Sequence, residues 1–411
     1  MEKNNQSSNS PVNLVDECPE NFEDCLALAE AQLEACDYRL ACFYFERAIL
    51  INPTCSSTHN ELGLALEQEG RISEAMRSYK AGLLVDPRFA EAHNNIGNLL
   101  HAEGNLEDAL KSYKKALKYD SLLAPAYNNI GNVKLELGQT KSAKKNFQRA
   151  LELDSKMTEA YINLGNLFKD SGEAKEAVRH YKKALRLDPD DLTTQHNLNA
   201  ILGKTTERAP TQYVKEVFDD YAARFESHLV DELGYKMPLI LRETVDSWSR
   251  EQQFQQGLDI GCGTGICGEV FSDAVNLMVG IDVSEKMLQK SEEKKIYKEL
   301  VLGEINEVLA KRKDSFDFFV SADVFIYLGD LNEVFKNVRK CSREKGIFVF
   351  STEHIEAESY VLLPSGRYAH PQNYIDRLLD QYGFNKLSFS IQGIRREEGK
   401  WIKGGVYLAE L

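Results

Sequence analysis

The sequence predicts two parts in series: an all-helical repeat array and, behind it, a doubly wound α/β domain. Three observations carry this. A strict 34-residue period runs from Phe22 to residue 191. A glycine-rich loop, Gly261-Cys262-Gly263-Thr264-Gly265, leaves an apolar strand. From that loop to the C-terminus, strand and helix patterns alternate. The 411 residues suffice for two or three domains, each burying its own core.

Residues 1–21 are polar and expected to be disordered; they lack the apolar core of a secretory signal. From Phe22 the columns keep register. Gly63, Gly97, Gly131 and Gly165 form one, and Gly70, Gly104, Gly138 and Gly172 a second. Ala41, Ala75, Ala109, Ala143 and Ala177 form a third. Phe45, Tyr79, Tyr113, Phe147 and Tyr181 make an aromatic column, and Pro53, Pro87 and Pro189 close their units. A small residue in each first helix lets the second approach, the later glycine suits the turn, and the aromatic is expected to fill the joint between units. Five units follow, 22–55, 56–89, 90–123, 124–157 and 158–191. A capping helix and linker occupy 192–210, with the linker marked by Ala209-Pro210. The first unit departs from the pattern, with Ala29 and Cys36 at the glycine positions. The array resembles the tetratricopeptide repeat (TPR), a helix-turn-helix unit of 34 residues.

Asparagines recur on the first helices: Asn95, Asn129, Asn163 and Asn197, then Asn98, Asn132 and Asn166, then Asn60, Asn94 and Asn128. By the resemblance these helices line a concave groove. There an amide ladder can grip the backbone of an extended protein or peptide partner. The alternative is that these asparagines cap turns or hydrogen-bond between neighbouring repeats. A basic column on the second helices (Arg77, Lys111, Lys145, Arg179) reads as a solvated face.

The glycine loop aims backbone N–H groups at an anionic part of a ligand, and Asp282 ends the second strand twenty-one residues after Gly261. That spacing suits ribose hydroxyls and marks a nucleoside-cofactor site. The stretch Leu258-Asp259-Ile260-Gly261-Cys262-Gly263-Thr264-Gly265 resembles the first motif of class I S-adenosylmethionine (SAM)-dependent methyltransferases. Asp259 favours this over a nicotinamide site, because a carboxylate beside the loop suits a cationic amine better than a pyrophosphate. The fold class is therefore α plus α/β: a TPR α-solenoid, then a Rossmann-like class I methyltransferase domain over 211–411. Its sheet is expected to have seven strands, the last antiparallel and supplied by the alternating runs 384–391 and 402–410.

Expected cofactor residues are Asp259, Gly261, Cys262, Gly263, Gly265, Asp282, Val283, Glu304, Ile305 and Ala322. Tyr221, in an aromatic helix region with Phe218, Phe225 and His228, is the expected lid. Near the end of the fourth strand stand Asp323 and Tyr327, and His370 lies between strand five and the next helix. These three are the catalytic candidates, with His370 first as general base because imidazole titrates near neutrality. No Asn/Asp-Pro-Pro-Tyr follows strand four, which disfavours adenine or a glutamine amide as acceptor. The array followed by Phe218-Asp219-Asp220-Tyr221-Ala222-Ala223-Arg224-Phe225, then Ala322-Asp323-Val324-Phe325-Ile326-Tyr327-Leu328-Gly329-Asp330, then Gly366-Arg367-Tyr368-Ala369-His370, resembles the predicted TPR-containing methyltransferases over nearly all of the chain. That implies SAM as cofactor and leaves three readings: a partner or substrate delivered by the array, a small metabolite with the array used for localisation, or an inactive scaffold. A net charge of −14 argues against general nucleic-acid or membrane binding, and eight cysteines without a C-x-x-C pair point to reduced thiols, no metal and a cytoplasmic setting.

Overall fold

A computed structural model describes residues 19, 21–222, 225–226, 234–249, 252–313, 315–397 and 400–411. The polar N-terminal stretch apart from Pro19 and Asn21, His228, and the side chain of the expected lid Tyr221 lie outside the described residues. Contacts divide the chain into two compact units, Met1–Ser171 and Gly172–Leu411.

The first unit holds nine of the described helices: α1 (Phe22–Glu34), α2 (Tyr38–Ile51), α3 (Ser56–Gln68), α4 (Ile72–Val85), α5 (Ala90–Ala102), α6 (Leu106–Tyr119), α7 (Ala124–Glu136), α8 (Thr140–Leu153) and α9 (Thr158–Asp170). The turn within each repeat closes through a left-handed residue. Gly70 has φ 80°, and beyond it Arg71 N–H donates to Leu66 O at 2.8 Å. In the first unit Cys36 adopts φ 58° in the same closure, with Asp37 N–H bonded to Gln32 O at 2.9 Å. A non-glycine residue carries strain there, as its departure from the column suggests.

The aromatic column reaches the joint between units, as expected, with Tyr113 in one core with Ile130 and Val133 of the next unit, and it also packs inside its own unit. A Cβ on Gly63 would stand 2.3 Å from the Tyr79 ring, one on Gly97 2.5 Å from Tyr113, and one on Gly131 2.4 Å from Phe147. Each ring therefore sits against the glycine of its own unit, between that unit's two helices. The missing Cβ makes room for it.

The asparagines bond to one another. Asn95 Nδ2 donates to Asn60 Oδ1 at 2.9 Å. Asn129 Nδ2 donates to Asn94 Oδ1 and Asn98 Oδ1 at 3.1 and 2.8 Å, and Asn163 Nδ2 to Asn128 Oδ1 and Asn132 Oδ1 at 3.0 and 2.9 Å. These amide donors stitch successive first helices together. Asn197, in the second unit, donates to Thr193 O of its own helix at 3.2 Å. A buried amide without a partner costs about 1–3 kcal/mol, which is why stacked first helices pair them.

The second unit opens with α10 (Ala174–Leu187), α11 (Leu192–Ile201), α12 (Thr211–Tyr221) and α13 (Met237–Trp248). Strand–helix alternation follows: β1 (Phe254–Ile260), α14 (Ile266–Val270), β2 (Val275–Asp282), α15 (Glu285–Glu293), β3 (Tyr297–Leu302), α16 (Ile305–Lys311), β4 (Phe316–Ser321), a 3-10 turn (Phe325–Tyr327), α17 (Asn332–Cys341) and β5 (Ser342–His354). Then come β6 (Val361–Leu362), β7 (Tyr368–His370), α18 (Gln372–Tyr382), β8 (Asn385–Glu397) and β9 (Lys400–Glu410). Strands β3-β2-β1-β4-β5 are parallel in that order, β9 is antiparallel to β5, and β8 is antiparallel to β9.

The last strand is antiparallel as expected, but the described sheet has nine strands rather than seven. The two extra are β6 and β7. Pairing of β4 with β5 stops at Ser321↔Phe350, while β9 covers the other edge to Glu353↔Gly404. That leaves Glu353 and His354 an open edge where β4 departs, and β7 pairs there in parallel. Along the strands, Phe319, Phe348 and Phe350 face α17 and α18, whereas Phe318, Val320, Ile347 and Val349 face α13 and α14. The two-residue period thus builds a core on each face.

Candidate active site

The site forms where the parallel strands end. After β1, Gly261 N–H and Cys262 N–H both donate to Ile281 O at 2.9 Å, tying the loop to β2. Gly261, Gly263 and Gly265 have φ of 73°, 53° and 87°. At Gly261 a Cβ would meet Val324 Cγ2 at 2.3 Å, so glycine lets the loop after β4 close over the loop after β1. At Gly263 a Cβ would find nothing nearer than Phe225 at 4.0 Å, so this face of the loop is open.

Asp282 braces that loop. Its Oδ2 accepts from Gly263 N–H and its Oδ1 from Ser284 N–H, both at 2.9 Å. Ser284 Oγ donates to Asp219 Oδ1 at 2.6 Å, fastening α12 beside the start of α15. Burial pushes the Asp282 carboxyl up, against the pull of the backbone N–H groups.

A cavity of about 300 Å³ crosses this edge of the sheet. Gly261, Gly263, Asp282, Val283, Glu304 and Ile305 line it on the side of β1, β2 and β3. Ala322, Asp323 and Tyr327 line it beyond β4. Glu304 also caps α16, accepting from Glu307 N–H at 3.1 Å, and lies 3.7 Å from Arg208. Asp323 adopts φ 56°, a left-handed conformation that a non-glycine residue holds only when its surroundings impose it. Ser351 imposes it, with its Oγ 2.9 Å from Asp323 N and 3.2 Å from Oδ1.

Four expected residues are not at the cavity wall. The Cys262 side chain points behind the loop, into the space a Gly280 Cβ would take, and Gly265 faces Ser291 and Tyr297. Asp259 lies under the loop, where its Oδ2 accepts from Tyr297 Oη at 2.6 Å. Burial raises its carboxyl to about 7, against the pull of that hydrogen bond.

His370 is the fourth and the main correction. It is fully buried on β7 beside Tyr360 and Tyr374, with Nε2 3.0 Å from Gly329 O. Burial holds its imidazole down to about 4. It thus pins the turn after Tyr327 from behind instead of reaching a substrate. His370→Ala is expected to cost about 2–4 kcal/mol of stability. Turnover of the folded variant should stay within about threefold of the parent, since removing a true general base typically costs 10²-fold or more. The neutral ring's contribution is complete above about pH 6.5 and is lost as pH falls from there toward 4, because only the unfolded chain then takes the proton. Thermal unfolding and pH–rate profiles of both proteins check this. A loss of 10²-fold or more in the folded variant returns His370 to the mechanism.

The structure adds residues that the sequence reading missed. Arg395 and Arg367 line the cavity, and a register shift in β8 between Gly393 and Arg395 accounts for the first. Strict alternation would send Arg395 outward if Ile394 faces in, but the bulge buries both. Arg208 and Ala209 line the cavity as well, from the expected linker. That segment is bonded throughout: Ala209 N–H donates to Tyr327 O at 2.9 Å, Gly329 and Asp330 N–H to Glu207 O at 2.8 Å, and Leu362 N–H to Thr205 Oγ1 at 3.2 Å.

A parallel sheet in this strand order with an antiparallel β9, a glycine loop braced by an acid, and a cavity at the strand ends define a Rossmann-like methyltransferase domain. Comparison with known proteins agrees: residues 258–350 match the model of a methyltransferase domain family. Residues 88–156 and 122–190 match the tetratricopeptide repeat, and 63–104 a TPR repeat model. The chain therefore carries TPR repeats followed by a methyltransferase domain whose cofactor is SAM. It is 34% identical over 83 residues to a probable 18S rRNA (guanine-N(7))-methyltransferase of Dictyostelium discoideum, covering 20% of this chain and 29% of that protein. It is 33% identical over 76 residues to the 18S rRNA (guanine-N(7))-methyltransferase of Bos taurus, 18% of this chain and 27% of that one. A malonyl-[acyl-carrier protein] O-methyltransferase of Hamiltonella defensa is 27% identical over 124 residues, 30% of this chain and 45% of that protein. The chain thus spans less than half the length of each of these relatives. Among the described residues no helix is long and apolar enough to cross a membrane, and no group of His, Cys, Asp or Glu could hold a metal ion.

The cavity suits the cofactor. Gly263 offers an approach without a Cβ, and Asp282 stands in the wall at the end of β2.

Proposed function

We propose that the protein is a SAM-dependent methyltransferase whose TPR array captures a protein or peptide partner or substrate. The observation that carries the reading is the continuity of the cavity from Gly263 and Asp282 to Asp323 and Tyr327, so that one space can hold cofactor and acceptor. The cofactor supplies a methyl group on a sulfonium, already activated for transfer. The chain's part is to bind, orient and exclude water. Asp282 is assigned to the ribose hydroxyls, Gly261 and Gly263 to close backbone approach, and Val283, Ile305 and Glu304 to the base. Apolar side chains from α12 and the loop after β4 (Val214, Val217, Phe218, Val324, Ile326) keep water from the transfer path.

On the array, the concave face bearing Asn95, Asn129 and Asn163 is the assigned capture surface. Because their amide donors already bond between repeats, these residues serve first as its frame. The test is transfer of labelled methyl from SAM by the full chain in a cell extract, separated into protein and small-molecule fractions. Label above the enzyme-free control supports the reading, and the absence of both transfer and SAM binding would overturn it.

A further inference from the structure

The polar end of the cavity holds two guanidiniums and three carboxylates, and the bonds among them are shared unevenly. Arg395, only 4% exposed, donates from Nε to Glu397 at 2.8 Å and from Nη2 to Glu353 at 2.7 Å. Arg367 also binds Glu397. Asp323 receives only Arg395 Nη1, which lies 3.5 Å from its Oδ2 and makes no hydrogen bond. Of these three carboxylates, Asp323 is the one that lines the cavity. Building on the methyltransferase reading, we propose that Asp323 takes the proton of the methyl acceptor, and that Arg395 is the positioning residue that holds its carboxylate ionised in the cavity wall.

Three features single out Asp323. The first is a free oxygen. Among the described residues Oδ2 is matched in charge but accepts no hydrogen bond, so its lone pairs are open to a bound N–H or O–H group. The other carboxylates in the wall are engaged near β2 and β3: both oxygens of Asp282 accept backbone N–H groups, and Glu304 caps α16. The second feature is a fixed aim. Ser351 Oγ holds both the backbone N–H and Oδ1 of Asp323, at 2.9 and 3.2 Å, in a left-handed conformation that only its surroundings impose. The third is charge. Burial pushes the Asp323 carboxyl up from the ordinary aspartate value, against the pull of Arg395, Ser351 and Arg367. Tyr235, Tyr327 and Cys267 also face it, and burial raises all three, so they stay neutral and none competes as a base. His370 is behind the wall. A buried carboxylate is the stronger base for its burial, but only while a cation keeps it from protonating beforehand. In the transfer, the acceptor's N–H or O–H donates to Asp323 Oδ2 and its nitrogen or oxygen attacks the methyl carbon. A C–N or C–O bond forms, the C–S bond breaks with its electron pair passing to sulfur, and the proton moves to Asp323 and then to solvent. The products are the methylated acceptor, S-adenosylhomocysteine and one proton.

The test compares the full chain with its variants by the initial rate of label transfer from SAM into one cell extract, measured against pH. Calorimetry with S-adenosylhomocysteine runs beside it. Asp323→Asn is expected to lose about 10²-fold to 10⁴-fold in transfer while binding S-adenosylhomocysteine within about twofold of the parent. Arg395→Gln should lose transfer near neutral pH and regain part of it at higher pH, because the acid limb of its profile moves up. Arg395→Lys keeps the charge and should bring the limb back toward the parent's. A second readout needs no turnover. In protein made with isotope-labelled aspartate, the carboxyl NMR signal of Asp323 is assigned by its loss in Asp323→Asn. It should titrate at higher pH in Arg395→Gln than in the parent or Arg395→Lys. If Arg395→Gln does not fold, Arg367→Gln, at a more exposed position, should move the signal in the same direction, since its charge also reaches Asp323. Parental transfer by a folded Asp323→Asn protein removes Asp323 as the proton acceptor. An Asp323 signal that titrates alike with and without the arginine removes the positioning role. Neither result touches the methyltransferase reading, which fails instead if the parent does not bind S-adenosylhomocysteine at all.

Discussion

Asp282→Ala is expected to weaken SAM binding by about 10-fold to 100-fold in a protein that remains folded. The effect has two sources. The cofactor's hydroxyls lose a charged acceptor, worth about 1.5–3 kcal/mol. The loop also loses the brace from Asp282 Oδ2 to Gly263 N–H, so the open face of the loop is less well held. Asp282→Asn separates the two. One carboxamide oxygen can still accept from a loop N–H, but the charge and the second acceptor are gone. Its affinity should fall between those of the parent and the alanine variant. Calorimetry gives the affinities and circular dichroism the fold; parental affinity in a folded Asp282→Ala protein would remove Asp282 from the cofactor site.

Tyr113→Ala should destabilise the array by about 3–5 kcal/mol. The ring is fully buried, with Gly97 shaped around it, so truncation leaves a cavity that close-packed helices cannot fill by collapse. Its hydroxyl also donates to Asn98 Oδ1 at 2.9 Å, the same oxygen that accepts from Asn129 Nδ2. The core of one repeat and the asparagine stitch to the next therefore share an atom. Tyr113→Phe keeps the ring and loses the hydroxyl, at a cost near 1 kcal/mol. Urea unfolding followed by helical signal measures both, with the loss confined to the array's transition because repeat stability is nearest-neighbour in character. Equal stability of Tyr113→Ala and parent would mean the array tolerates the void, and the packing argument from Gly97 would fail.

These two residues lie where sequence and structure agree most closely, and the reason is locality. The 34-residue columns record contacts between helices adjacent in the chain. Gly63 with Tyr79, or Gly97 with Tyr113, lie sixteen residues apart and recur in register. The loop after β1 and the acid after β2 also obey short-range geometry. Positive φ calls for glycine, and parallel neighbouring strands bring Asp282 to Gly263. Repeat period, strand–helix order and the residues after β1 and β2 that line the cavity were legible for that reason.

The acceptor side was not, because it is assembled from distant pieces by features without a sequence signature. A bulge in β8 turns Arg395 inward, and nothing in the Arg395-Arg396 pair says which residue is buried. The departure of β4 at Ser321 opens an edge of β5 that β7 takes, and this pairing buries His370 where its position in the chain suggested an exposed base. The asparagine columns recur identically whether their amides face a partner or one another. Only the distance between stacked first helices decides for the repeat-to-repeat bond. Local pattern determined the elements and the glycine loop. Which side chains share a cavity, and which are shut away from it, was decided by register, bulges and sheet edges, because these depend on contacts between strands far apart in the chain.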